Sequence, residues 1–143
     1  MFKARIREYQ PEDIPFVRDS FTTGASNSPD LIYLPHSTTK PRLRTRFDHI
    51  VKVSEIWVAH HIEEEEPLYG WLAVTNLPSH SIVWWIYIKS GYRGLGFASL
   101  LASKIKHKKS IIFPMTSQIS KELAKKYNAT FDPFIYEELC LED

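Results

Sequence analysis

Cysteine is almost missing from this chain. Cys140 stands alone in 143 residues, which rules out an intrachain disulfide and any zinc site built on several cysteines. Such usage fits a reducing compartment, and the expected location is the cytoplasm. Long apolar runs are lacking too. No stretch approaches the roughly 20 residues that span a bilayer, and the opening Met1-Phe2-Lys3-Ala4-Arg5 has no apolar signal core. No membrane partner is expected. Charge of one sign is also in short supply: 18 Lys and Arg face 17 Asp and Glu, a formal net of +1. No overall field therefore draws the molecule to nucleic acid or lipid, and any such attraction must come from local patches. Internal repeats and low-complexity tracts are absent.

Burial capacity is present instead. The chain is 43% hydrophobic and 13% aromatic, with four tryptophans and eight phenylalanines, so it reads as globular and not disordered. Its length suits one domain with a proper core, and residues 1–143 are expected to form a single one. The strongest local pattern lies at its centre. Ile82-Val83-Trp84-Trp85-Ile86-Tyr87-Ile88 is a β-branched and aromatic run; it breaks at Ser90-Gly91, and a helically spaced pattern follows. Between the predicted strand and helix sits Arg93-Gly94-Leu95-Gly96-Phe97-Ala98. Small residues at 94, 96 and 98 let main-chain N–H groups approach a ligand without obstruction, and a phosphate is the ligand such a turn suits. A plain tight turn is the alternative.

At these residues the sequence resembles the GNAT superfamily of N-acetyltransferases. The family motif is Arg or Gln, two residues, Gly, one residue, then Gly or Ala; here it reads Arg93, Gly94-Leu95, Gly96, Phe97, Ala98. Tyr87-Ile88-Lys89-Ser90-Gly91-Tyr92 is similar to the family's approach to the motif, with Ser90 where proline is frequent. The resemblance implies an α/β fold, a central mixed and mostly antiparallel sheet of six to seven strands flanked by about four helices. It also implies acetyl-CoA, or another acyl-CoA, as co-substrate. The pyrophosphate would lie on the turn at Arg93, Gly94, Leu95, Gly96, Phe97 and Ala98. The arm would run along Ile86, Tyr87 and Ile88, splaying that strand from the next. Ser117, at the start of the last helix, would contact the arm or a water.

The rest of the chain supplies the remaining elements. Ala4 to Tyr9 alternates as a strand, and Gln10-Pro11-Glu12-Asp13 opens a helix ending near Gly24. Ala25 to Pro41, interrupted by Pro29 and Pro35, reads as a long loop with a helical turn around Asp30 to Leu34 that folds over a pocket. Asp30, Tyr33 and His36 are candidates to face an acceptor there, or else exposed or capping groups. Lys40 to Arg46 carries four cations in seven residues, a solvated helix face or an anion-contacting edge. Strands are expected at Ile56–Ile62 and Leu68–Val74, joined by a solvated acidic hairpin, Glu63 to Glu66. Trp84 and Trp85 are expected on opposite faces, one in the core and Trp85 a candidate wall of the acceptor pocket. The helix after the motif is read as running on past Ile105, with Lys104, Lys106, Lys108 and Lys109 on its outer face and C-terminal end. A strand follows at Ser110–Pro114, then a helix from Ser117 to Lys126. Asn128 is placed in a left-handed C-terminal position, and one or two strands are expected between Thr130 and Leu141.

The catalytic groups are less legible. His60 and His61 are adjacent on a strand and face opposite sides, so no metal is expected there. The position where the family often carries an acidic tyrosine is Ala124, and the central strand has no carboxylate. Candidate bases therefore come from elsewhere: His36, Glu55, His60 or His61, with Ser117, His36 and His61 named as catalytic candidates. The acceptor is expected to be an amine of a small molecule or a protein. A nucleic-acid acceptor is the second reading, since some GNAT-like phage proteins modify DNA bases and this compact form is similar to theirs. A third reading is a fold that binds CoA or a partner without catalysis. Either a monomer or a homodimer is compatible with the sequence.

Overall fold

The computed structural model describes residues 4–29, 31–64 and 67–135. The apolar runs pair as strands: β1 (Ala4–Glu8), β2 (Glu55–His61), β3 (Leu68–Asn76), β4 (Ser81–Ile88), β5 (Ile111–Phe113) and β6 (Thr130–Phe131). They form one six-stranded sheet in sequence order. β1 to β4 pair antiparallel, whereas β4–β5 and β5–β6 are parallel, because helical crossovers join those strands. Among the described residues four α-helices accompany the sheet: α1 (Ile14–Ser26), α2 (His36–Val53), α3 (Phe97–Ala102) and α4 (Gln118–Tyr127). The mixed, mostly antiparallel architecture expected from the sequence is the one observed.

Helices cover both faces. Val17, Phe21 and Ala25 of α1 and Leu43, Phe47 and Ile50 of α2 pack with Trp71, Trp84 and Trp85 on one side. Phe97, Leu101 and Ala102 of α3 and Leu123 of α4 pack with Val83, Ile86 and Ile88 on the other. Among the described residues no helix is long and apolar enough to cross a membrane.

Four local expectations need correction. Trp84 and Trp85 do not lie on opposite faces: Ala73 pairs with Trp85 and Val74 with Val83, so Trp84 is an extra, bulged residue. Both indoles consequently enter the α1/α2 core. Trp84 donates from Nε1 to Thr75 Oγ1 at 2.8 Å, and that hydroxyl donates to Val53 O at 2.7 Å. Secondly, α1 runs through Gly24 to Ser26. A Cβ at Gly24 would stand 3.2 Å from Trp85 Cζ2, so the glycine admits the indole against the helix. Thirdly, the segment read as loop up to Pro41 is helical from His36. Pro41 sits within its second turn, where the pyrrolidine forfeits a single intrahelical N–H.

The fourth is the end of α3. The expected helix stops at Ala102, and the next residues tighten into i to i−3 bonds, Ser103 to Leu100, Lys104 to Leu101 and Ile105 to Ala102. Asn76 takes over from the helix. Its Nδ2 donates to Lys104 O at 3.2 Å, its Oδ1 accepts from Lys106 N at 3.0 Å, and Ser81 Oγ accepts from His107 N at 3.0 Å. The β3–β4 turn thus captures the chain before a longer helix forms. Lys104 accordingly lies with its ammonium 4.1 Å from the Trp57 ring instead of at a helix end. Of the terminal strands only β6 lies in the described region; residues 136–141 lie outside it.

Candidate acyl-donor groove

The site starts from the turn that leaves β4. Gly94 and Gly96 have φ of 79° and 90°, conformations that a side chain would strain, and a Cβ built on either meets nothing within 4 Å. The turn is therefore open on the side its glycines face, a cradle and not a packed corner. It is held from below. Phe97 is 3% exposed and its ring lies 5.0 Å from that of Tyr69, which stacks on Tyr92 at 4.5 Å. Arg93 donates from Nε to Ile88 O at 3.0 Å, tying the turn to the end of β4.

Beside the turn the sheet opens. β4 and β5 pair at Ser81–Ile111 and Ile82–Ile112, and no further pair joins these strands among the described residues. The remainder of β4, as far as Ile88, has no pairing partner in β5. Two clefts fill the gap. The first, 260 Å³, is lined by Ile88, Arg93, Gly94, Gly96, Phe97, Ala98, Ile119 and Glu122, among others. The second, 380 Å³, is lined by Ile86, Tyr87, Arg93, Ser117, Ile119 and Lys121, and at its far end by Trp85, Gly24, Asn27, Ser28 and Pro29. Arg93 and Ile119 belong to both, so the clefts form one groove from the glycine turn to the end of α1.

The walls are locally rigid. Ser117 caps α4: its Oγ accepts from Ser120 N at 3.1 Å, and Ser120 Oγ accepts from Ser117 N at 2.6 Å. Tyr87 is half-buried, its ring edge-on to Phe16 at 5.9 Å. Asn27 ends α1 and donates from Nδ2 to Thr23 O at 2.9 Å.

No protein-family model matches the sequence, and no curated protein matches it. Solved structures do. An acetyltransferase from Corynebacterium glutamicum, described as histone acetyltransferase HPA2 and related acetyltransferase, is 17% identical, with 71% of this chain and 68% of that one covered and a TM-score of 0.56. A predicted acetyltransferase from Clostridium acetobutylicum, solved with acetyl-CoA, is 18% identical over 87% of this chain and 88% of that one, at a TM-score of 0.54. A GNAT-family acetyltransferase from Staphylococcus aureus is 16% identical at a TM-score of 0.50, with 71% of this chain and 63% of that one covered. This chain has the GNAT fold.

Within the GNAT fold, the residues singled out from the sequence fall into three groups. Trp85, Ile86, Tyr87, Arg93 and Ser117 line the larger cleft, and Ile88, Gly94, Gly96, Phe97 and Ala98 the smaller. Leu95 is 48% exposed and lines neither. His36, exposed at the first residue of α2, and Tyr33, 94% exposed, are not among the lining residues either. Asp30 lies outside the described residues. His61 accepts from Glu63 N at 3.1 Å through Nδ1, at the end of β2 beside the hairpin. His60 Nδ1 lies 2.6 Å from His61 O and 3.1 Å from Glu64 O, two acceptors that require this nitrogen to carry the proton. Glu55 accepts from Trp57 Nε1 at 3.4 Å. None of these imidazoles and carboxylates is a lining group of the larger cleft among the described residues. Ala124 and Tyr127 pack against the α3/α4 core.

Six residues lining the larger cleft were not singled out from the sequence: Gly24, Asn27, Ser28, Pro29, Ile119 and Lys121. Lys121 had a signal, since it lies one helical turn beyond Ser117. Asn27 and Ser28 fall in the Ala25 to Pro41 segment read as folding over a pocket, but nothing in the sequence set them apart within it. Among the described residues no group of three or more His, Cys, Asp or Glu is placed to hold a metal.

Proposed function

We propose that this chain is an acyl-CoA-dependent N-acyltransferase that moves an acyl group from the CoA thioester to an amine of a small molecule or protein. The supporting observation is the continuous groove between the diverging β4 and β5. It begins at an open glycine turn carrying Arg93 and ends at a cleft 380 Å³ in volume walled in part by Trp85 and Tyr87. Acetyl-CoA, or another acyl-CoA, supplies an activated acyl thioester when bound.

The chain's own residues divide the work. The N–H groups of the turn at Gly94 to Ala98, with the Arg93 guanidinium, suit a diphosphate. The main chain of β4 from Val83 onward, on the edge turned away from β3, suits the amides of an extended arm. Trp85, Tyr87, Asn27 and Ser28 then surround the place where an amine would meet the thioester. That amine must be neutral to attack. For a lysine-like amine of pKa about 10.4, deprotonation at pH 7 costs roughly 4.6 kcal/mol. With no imidazole or carboxylate among the described lining residues of the larger cleft, this cost falls on desolvation and on holding the reactants together, which offsets about 7–11 kcal/mol in favourable cases. Tyr87 and Ser117 bring hydroxyl groups that can pass a proton to the departing thiolate directly or through water.

A thermal-shift titration with acetyl-CoA tests the reading. At one hundred times the dissociation constant the native state gains about 2.7 kcal/mol, and Arg93→Glu removes most of that gain while leaving the unliganded melting temperature close to wild type. A flat titration would sink the proposal. The lack of an imidazole or carboxylate among the described residues lining the larger cleft favours one alternative, binding of CoA without transfer. A single-turnover assay with acetyl-CoA and a panel of amines separates the two.

A further inference from the structure

A second concavity lies apart from the groove just described. It measures about 200 Å³ and is lined by Leu31, Leu34 and Leu43 with Thr38, Thr39, Arg42 and Arg46. Apolar side chains crowd its edge: Ile32 and Leu34 are each 49% exposed and Tyr33 is 94% exposed, three in succession ahead of α2. Contiguous exposed apolar surface of this kind marks an interaction site more often than chance exposure does. The adjoining helix is cationic, since α2 carries Lys40, Arg42, Arg44, Arg46 and Lys52 against Asp48 as its one acid.

We propose that this groove docks an acidic peptide segment, which seats one large apolar side chain among Leu31, Leu34 and Leu43 and sets carboxylates against Arg42 and Arg46. The spacing of the charges selects the occupant. Arg42 and Arg46 are four residues apart and share the groove side of α2; Lys40 and Arg44 share a different side, two residues or about 200° away. Two guanidinium groups beside an apolar hole suit a pair of discrete carboxylates flanking a hydrophobic anchor. A nucleic-acid strand asks instead for a continuous track of cations with aromatic faces for its bases. Here the cations split between two faces, and no aromatic residue is among those lining the hole.

The test needs no acyl-CoA, so its result is independent of the transferase reading. A fluorescein-labelled, glutamate-rich peptide with one central leucine is titrated with the full chain and followed by anisotropy. Saturable binding that weakens with added salt is expected, with a loss of about tenfold or more for Arg42→Glu and for Leu34→Asp. Arg42 and Leu34 are exposed, and unchanged circular dichroism and melting temperature show that each variant is folded. Arg44→Glu, on the other side of the helix, should bind as wild type does. The proposal is overturned by lack of saturable binding, or by an equal loss on Arg44→Glu, which would mean a diffuse field. Tighter, Arg42-dependent binding of a single-stranded oligonucleotide of matched charge also overturns it, making nucleic acid the occupant.

Discussion

Asp13 is 5% exposed, yet it carries a carboxylate, and its surroundings explain why that is tolerated. Arg7 grips it with two hydrogen bonds of 2.7 and 3.1 Å, and the Gln10 amide donates to it at 2.7 Å. Burial alone pushes this carboxyl up. The Arg7 hydrogen bonds, the Gln10 amide and the charges of Arg7 and His60 outweigh burial, and the group ends below its ordinary 3.8. A depressed carboxyl stabilises the fold above the unfolded value and loses that contribution as pH falls through the folded one. Asp13→Asn should therefore cost about 1–3 kcal/mol at neutral pH. Its urea midpoint should also fall less than wild type's between about pH 5 and about pH 2. Equal acid sensitivity in the two proteins would mean that other carboxylates set the acid limit.

Strand β3 shows how one side chain, or its omission, governs an element. Gly70 faces Ile88 across the β3–β4 ladder, and a Cβ there would fall 2.3 Å from Tyr87 O and 2.8 Å from Ile88 Cδ1. The backbone oxygen cannot retreat without moving the end of β4. Gly70→Ala should thus destabilise the chain by about 1–3 kcal/mol in urea unfolding and weaken acetyl-CoA binding in the same preparation, because the groove begins at that strand end. A variant as stable as wild type would show that β4 shifts freely. Element ends followed local chemistry where local chemistry was strong. Ser117, at the expected start of α4, is its N-cap, and Asn128 takes the left-handed position at φ 55°. They departed from it where a distant partner competed: Asn76 ends α3 early, and the segment from His36 to Pro41 winds into α2 because Thr39 and Leu43 are buried when it does.

Across the molecule, the near-zero net charge conceals a separation of signs. Cations gather on α2 and after α3, acids on the β2–β3 hairpin, so any attraction for anions is local and not a property of the total. If acetyl-CoA occupies the groove, amide exchange should slow at the Lys89–Ala98 turn and in the first turn of α4, while the β1–β2 ladder stays as it was. Hydrogen-exchange mass spectrometry with and without the ligand reads this directly. Protection spread evenly over the sheet would point to general stabilisation instead of a bound arm.

Element order, the glycine turn and the caps of α4 were legible in the residues, because each depends on hydrophobic period or on one residue's backbone preference, whereas the mixed sheet followed from the resemblance at Arg93 to Ala98. The α1 side of the larger cleft was not legible. A bulge at Trp84 arises only when β4 pairs with β3, and it turns two neighbouring indoles to one face, so that Trp85 packs on Gly24 and draws Asn27 and Ser28 into the wall. Pairing of β2 with β3 leaves His60 and His61 at the hairpin end of β2, engaged with nearby main chain. Local preferences act within a few residues, whereas strand register and the splay between β4 and β5 are settled by contacts between segments far apart in the chain.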